Sequence, residues 1–202
     1  YVAYPMTPAS GILHFLAANA KRLGMTVIHP ESELAAVAMA AGFAYAGDRA
    51  AVGTSGGGFC LMTEGIGMAA MAETPVTVVL GQRPGPSTGV PTATAQTELL
   101  FALHAGQGEF VRFVAAPADA RQAWEWSAAA VELASAFQIP SIILADKTLC
   151  EGTFSVDPAG LGPPPRIALP DAPAAGPYRR YRETPSGVSP SLRLPAAGAA
   201  VK

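Results

Sequence analysis

Four short stretches of this chain carry the residue types that do chemistry. Glu31 and Glu33 open a run, Glu31 to Ala46, that is otherwise almost uncharged. At a helix start such carboxylates either complement the macrodipole, worth about 0.3–1 kcal/mol, or sit partly buried and hold a proton in a site. "YPMTPAS" at 4–10 puts Thr7 between two prolines just ahead of a helical stretch. The prolines fix the backbone there, so the Thr7 hydroxyl is either presented rigidly to a ligand or caps the helix, as Ser10 also could. "GQRPGPSTGVPT" at 81–92 follows an apolar run and contains one cation, Arg83. A guanidinium at the carboxyl end of a parallel strand can grip a carboxylate in two-pronged fashion; the alternative is an exposed arginine on a surface loop.

The fourth stretch is "GTSGGGFC" at 53–60. A glycine-rich turn behind a strand raises phosphate binding, but a Walker loop needs GxxxxGK[ST], and here Phe59 and Cys60 stand where Lys and a hydroxyl would be. GxGxxG is absent as well. The reading preferred here is a tight strand-to-helix turn in which glycine allows either a positive φ or a close backbone approach.

Other chemistries lack their residues. His14, His29 and His104 are scattered without HxH or HExxH spacing, and read as structural or surface residues. GxSxG is missing, because "GTSGG" offsets the serine. Cys60 and Cys150 form no CxxC pair, which indicates a reduced, cytoplasmic chain, and two cysteines cannot supply the roughly four ligands of an iron–sulfur cluster. A net charge of −2 gives no electrostatic basis for nucleic acid or anionic membrane. The longest apolar run, Leu34 to Gly47, falls short of the ~20 residues that span a bilayer.

The elements that would position these residues alternate between strand and helix. Nearly continuous apolar runs at Met25–Ile28, Ala50–Gly53, Val76–Gly81, Val111–Ala115 and Ser141–Asp146 predict parallel strands covered on both faces. Helices are expected near Ser10–Arg22, Glu31–Ala46, Glu64–Ala72, Thr94–His104 and Ala118–Phe137, the last on the spacing of Ala123, Ser127, Ala130, Ala134 and Phe137. The helix from Glu31 has small apolar residues on nearly every side, as in a helix buried all round by its own domain or by another subunit. The fold class is therefore α/β, a three-layer αβα domain with a mainly parallel sheet over residues 1–154. Residues 155–202 hold 10 of the 19 prolines and predict a Pro-rich linker or arm toward a further domain, with Arg179, Arg180, Arg182 and Arg193 as a solvated basic feature.

Taken in order, "YPMTP", "ESELAAVAMAAGFAYAG", "TSGGGFCLMTEGIGMAAMAETP", "QRPGPSTGVPT" and "LLFALHAGQGEF" resemble the pyrimidine-binding domain of the α subunit of 2-oxoacid:ferredoxin oxidoreductases. The likeness runs from Tyr4 to about Gly152. It implies a thiamine-diphosphate-dependent oxidative decarboxylation of a 2-oxoacid to an acyl-coenzyme A, with electrons passed to ferredoxin. Glu33 matches the glutamate that bonds a pyrimidine ring nitrogen and sets a proton equilibrium. Pro5, Ser55, Gly56 and Gly57 fall at the cofactor's pyrimidine end, and Thr7 and Arg83 at the substrate carboxylate. The family's diphosphate–Mg²⁺ half carries a GDG motif, whereas the one Gly-Asp here, Gly47-Asp48, is followed by Arg49. The resemblance thus implies a β subunit that brings the Mg²⁺ site and an iron–sulfur cluster, and a chain that is active only with that partner. "STGVPT" leans toward the 2-oxoglutarate type; a pyruvate- or branched-chain-specific enzyme and a non-catalytic assembly module are the alternatives. Departures from the family pattern are Gly57 for a usual proline, Cys60 for serine, Ala93 for a basic residue and Thr97-Glu98 for Gly-Asp.

Overall fold

A computed structural model describes residues 1–163, 165–167 and 178–191. Four strands, β1 (Ala50–Ser55), β2 (Val76–Gln82), β3 (Phe113–Ala115) and β4 (Ser141–Asp146), form an all-parallel sheet in the order β1-β2-β4-β3. Parallel neighbours need crossover helices, and these are right-handed almost without exception. The chain therefore steps one way through α3 (Gly56–Met71) from β1 to β2, and the opposite way through α5 (Ala120–Phe137) from β3 to β4. Opposite steps put the two helices on opposite faces, giving the three layers expected of the α/β fold. No helix among the described residues is long and apolar enough to cross a membrane.

The core lies between the sheet and α3. Phe59, Met62, Ile66 and Ala69 recur at helical spacing and are at most 1% exposed. They meet Val52, Val78, Leu80, Ile142 and Leu144 of the sheet in one buried cluster with Ala36, Val37, Ala40 and Ala44 of α2 (Glu33–Tyr45). α2 and α3 pack closely at Gly65, where an added Cβ would stand 2.5 Å from Val37 Cγ1.

Several expectations change in the structure. Met25–Ile28 is not a strand. Residues 1–3 take the free edge of β1: Val2 N donates to Ala51 O and Ala3 N to Ile28 O, so Ile28 makes only a single bridge with Val2. The helix expected from Glu64 starts eight residues earlier at Gly56, because the three glycines are its first turn rather than a loop. The Thr94–His104 helix shrinks to α4 (Leu99–His104), and the strand at 111–115 to β3. α5 buries Ala130, Ala134 and Ala136 but leaves Phe137 exposed. α2 is buried on one side only within this chain; Leu34, Met39 and Tyr45 are open. α1 (Ser10–Leu23) falls where expected, and two short elements went unforeseen: α6 (Lys147–Glu151), capped by Asp146, and a 3₁₀ turn at Pro158–Gly160, capped by Asp157.

Residues 178–191 fold back on the domain at the ends of α3 and α5. Arg180 is 8% exposed; it donates to the carbonyls of Ala72 and Glu73 and pairs with the Glu73 carboxylate at 3.4 Å. The Gln138 amide donates to Ser189 O. Arg180 is thus an anchor satisfying the carbonyls of the turn just past α3, not part of a solvated patch; Arg179 and Arg182 are exposed, and Arg193 lies outside the described residues.

Because Gly65 sets how closely α2 approaches α3, Gly65→Leu is expected to force the pair apart and lower stability by roughly 1–3 kcal/mol. Urea unfolding measures this, and an unchanged midpoint would show that the helices separate freely.

Candidate functional site

The carboxyl ends of three strands are level, with Ser55 in register with Gly81 and Gly81 with Ala145. This is the edge at which open parallel sheets bind ligands. β1 runs straight into α3, with Ser55 in extended conformation as the N-cap residue and its side chain making no capping bond.

The glycines of this turn all have ordinary negative φ; what they provide is room. A Cβ on Gly58 would stand 2.1 Å from Thr54 Oγ1 and 2.7 Å from Glu33 Oε1. One on Gly56 would stand 2.8 Å from Glu98 Oε1, and one on Gly57 3.3 Å from the carbonyl oxygen of Ser87. Residues two apart project about 200° apart around a helix, so two carboxylates flank the first turn of α3 from nearly opposite sides.

Glu33 is the first residue of α2, placed by the Ser32 cap, whose hydroxyl accepts from Ala35 N at 3.2 Å. It is 4% exposed, while Glu31 is exposed and outside the helix. Glu33 Oε1 has no hydrogen-bond partner among the described residues. Nor has the buried Ser55 Oγ, nor Tyr1 Oη, which lies 1.9 Å from where a Gly53 Cβ would be. Among the described residues, three of the four buried side-chain atoms without a partner therefore gather on or beside β1 and its turn into α3, the fourth being Gln138 Oε1. A buried unsatisfied acceptor costs roughly 1–3 kcal/mol, so this concentration marks a place where an outside donor is expected.

Thr7 and Arg83 come together across 76 residues: Arg83 Nη1 donates to the Thr7 carbonyl at 2.8 Å. Gly81 allows this, since a Cβ there would meet Pro8 Cγ at 3.0 Å and Ala9 N at 3.1 Å. Arg83 is 6% exposed and forms no ion pair among the described residues, so it is not a surface arginine but a buried cation with donors to spare. The N-cap of α1 is Ala9, without a side-chain capping bond, so neither Thr7 nor Ser10 caps it. Thr7 and Pro5 are half-buried, and Thr7 Oγ1 makes no hydrogen bond among the described residues. The loop after Arg83 closes on itself, with Val90 N donating to Pro84 O at 3.0 Å. Gly89 makes that closure possible at φ +60°, where a Cβ would lie 1.7 Å from Pro84 O.

Between this loop and α3 lies a cavity of about 660 Å³, walled by Met6, Gly56, Gly57, Cys60, residues 83–88, Thr97, Glu98 and Phe101. That volume suits a small organic ligand. Glu33 is not in its wall, which the α3 turn separates from it. Sequence reasoning did not single out Glu98 as a site residue. Its carboxylate is 6% exposed and accepts from Thr97 N and Thr97 Oγ1, each at 3.2 Å, while its backbone N–H donates to Gln82 Oε1 at 3.4 Å. The departure at Thr97-Glu98 was its one signal. Cys150 lies away from the cavity, its thiol pushed up to about 11 by burial first and then by the Asp146 carboxylate, with Lys147 opposing.

A family profile described as "Pyruvate flavodoxin/ferredoxin oxidoreductase, thiamine diP-bdg" matches residues 1–188. The chain belongs to this family. It is 44% identical over 167 residues to the 2-oxoacid:ferredoxin oxidoreductase subunit alpha of Saccharolobus solfataricus, covering 77% of this chain and 26% of that protein. It is 37% identical over 147 residues to the 2-oxoglutarate synthase subunit KorA of Archaeoglobus fulgidus, covering 73% and 42%. Among solved structures, the 2-oxoglutarate:ferredoxin oxidoreductase of Magnetococcus marinus, with 2-oxoglutarate, coenzyme A and succinyl-CoA bound, superposes with a TM-score of 0.89 at 34% identity, over 98% of this chain and 35% of that one. The chain thus spans from about a quarter to two fifths of the length of these relatives.

For this thiamine-diphosphate-binding family member, the donor set fits the group. The partnerless Glu33 Oε1 and Ser55 Oγ can take up the ring nitrogen and amino group of an aminopyrimidine. Gly58→Ala is expected to push Glu33 off α3 and to destabilise the chain by about 2 kcal/mol or more. Gly11→Ala, with nothing within 4 Å of the new Cβ, is expected to stay within about 1 kcal/mol on the stabilising side. Parallel thermal melts compare the two, and equal midpoints would remove the steric account of Gly58.

Proposed function

We propose that this chain is the pyrimidine-binding domain of the alpha subunit of a 2-oxoacid:ferredoxin oxidoreductase. Residues 1–154 form the body of the domain, and the Pro-rich sequence that follows leads toward a further domain, with 178–191 docked back on α3 and α5. The assembled enzyme converts a 2-oxoacid, coenzyme A and two oxidised ferredoxins into an acyl-coenzyme A, CO₂, a proton and two reduced ferredoxins. The names of the relatives support 2-oxoglutarate as the oxoacid. A partner β subunit brings the Mg²⁺–diphosphate site and an iron–sulfur cluster, and the complex works in the cytoplasm, where both cysteines stay reduced.

One observation carries this reading: a buried glutamate with a partnerless oxygen, held between two helix starts. Thiamine diphosphate, when bound, supplies the carbon acid and the electron sink that decarboxylation of a 2-oxoacid requires. Glu33 shares or holds a proton at Oε1 with a pyrimidine nitrogen. Pro5, Ser55, Gly56 and Gly57 form the wall against the ring. Arg83 binds the substrate carboxylate with guanidinium donors not spent on Thr7 O, and the free Thr7 hydroxyl adds a further donor. With water largely kept from Arg83, that ion pair is stronger than its counterpart on an open surface.

In the assembled complex, Glu33→Gln is expected to reduce turnover at least ~100-fold while the subunits still co-elute on size exclusion; near-normal turnover would overturn the assignment. Arg83→Gln is expected to raise KM for the 2-oxoacid by about 10–100-fold with a smaller change in kcat. Steady-state kinetics with a viologen acceptor separates the two effects.

A further inference from the structure

One buried threonine on β1 has a hydroxyl that its surroundings scarcely use. Thr54 is fully buried, and its Oγ1 makes a single hydrogen bond among the described residues, a donation to Ser55 O at 3.5 Å. That is well outside the range of about 2.5–3.0 Å in which a hydroxyl bonds firmly. Thr77, buried on β2, gives the contrast: its Oγ1 accepts from Ser141 Oγ at 2.8 Å. The loose hydroxyl also lies beside the oxygen that lacks a donor. A Cβ on Gly58 would stand 2.1 Å from Thr54 Oγ1 and 2.7 Å from Glu33 Oε1, so both oxygens converge on one small space. A donor without a firm acceptor and an acceptor without a donor thus flank the gap that Gly58 leaves, with no bond between them.

We propose that Thr54 is a positioning residue for Glu33: its hydroxyl donates to Oε1 when that oxygen also engages an aminopyrimidine, and so holds the carboxyl group beside α3. This rests on the reading of Glu33 as the group that meets the ring of thiamine diphosphate. A carboxyl oxygen has two lone pairs, so Oε1 can take the Thr54 hydroxyl and a ring nitrogen at once. The hydroxyl hydrogen turns about the Cβ–Oγ1 bond, and the glutamate side chain is long, so side-chain torsion alone closes the gap. The exchange replaces a long bond to a backbone carbonyl with one to a carboxyl group, the stronger kind of acceptor. Thr54 suits the task because β1 fixes it, with its backbone in register beside Leu80 of β2. The strand thereby sets the glutamate that the first turn of α2 presents.

The test titrates the assembled complex, stripped of cofactor, with thiamine diphosphate and Mg²⁺ in a calorimeter, and then measures turnover at saturating cofactor. Thr54→Val keeps the shape and removes the hydroxyl; Thr54→Ser keeps the hydroxyl and removes the methyl. Thr54→Val is expected to raise the Kd for thiamine diphosphate about tenfold or more and to lower kcat, with KM for the 2-oxoacid within about threefold of wild type. Thr54→Ser is expected to stay within about threefold in all three. A packing role gives the reverse order, because serine loses the buried methyl that valine retains; that order, or an unchanged Kd in Thr54→Val, overturns the proposal. In a Glu33→Ala background, adding Thr54→Val is expected to change Kd by less than about threefold, since the hydroxyl acts through the glutamate; a full tenfold change there overturns it too. Should Thr54→Val fail to assemble, Thr54→Ala against Thr54→Ser decides: the two differ by the hydroxyl alone, and equal Kd values overturn the proposal. Wild-type complex that takes up no thiamine diphosphate would instead sink the functional reading, and the proposal with it.

Discussion

A missing methyl group is the constraint on which this site depends. Residue 58 has no Cβ, so Glu33 and Thr54 can both lie against the first turn of α3. Glu33 is itself the first residue of α2, so the positive ends of two helices converge on one carboxylate. Glu33 Oε1 is left buried there without a hydrogen-bond partner among the described residues. The same economy repeats along the helix: Gly56 makes room for Glu98, and Gly65 lets α2 come close enough for Glu33 to reach its place. Glycine in a helix interior ordinarily weakens it by roughly 0.5–1 kcal/mol relative to alanine, and α3 carries five glycines. Here the helix accepts that loss and is held instead by its buried face, Phe59, Met62, Ile66 and Ala69.

The site is electrostatically sparse. Arg83 is buried without a carboxylate partner among the described residues, while two acids, Glu33 and Glu98, are buried without a cation. Internal ion pairs would have neutralised these groups and left a closed surface. Keeping them apart leaves a cation free for a ligand's carboxylate and a carboxylate free for a ligand's N–H. Glu33 is separated from the other two mechanically, because the first turn of α3 stands between it and the cavity that Arg83 and Glu98 line.

Much of this was legible in the chain, for physical reasons that differ from residue to residue. The strands at 76 and 141 could be read because a parallel strand covered on both faces needs an unbroken apolar run. The same rule misled at 25–28, where the run is apolar but β1's edge is taken by residues 1–3, a stretch too short to carry a pattern. Glycines 56–58 signalled a turn because glycine is a poor helix former; only the partners of Glu33 and Glu98 reveal why a helix tolerates them. Arg83 and Thr7 were recognisable as chemistry, but not as neighbours, since nothing local in a sequence couples residues 76 apart. Arg180 was misjudged for a related reason: a basic residue in a proline-rich arm looks solvated until the carbonyls it caps are known.

The strand order has a consequence for how the chain is assembled as it is made. β4 is the last of the described strands, yet it lies inside the sheet between β2 and β3. β1 and β2 can pair as soon as both exist, but β3 has no neighbour until β4 arrives, so the sheet remains two fragments while residues up to 146 emerge from the ribosome. Until then, the edge of β2 is an unpaired row of backbone donors and acceptors, open to the wrong strand. The ligand-facing edge is completed last of all, when Asp146 comes into register beside Gln82. β4 is thus a keystone, and the sheet's carboxyl edge is settled only when this strand arrives.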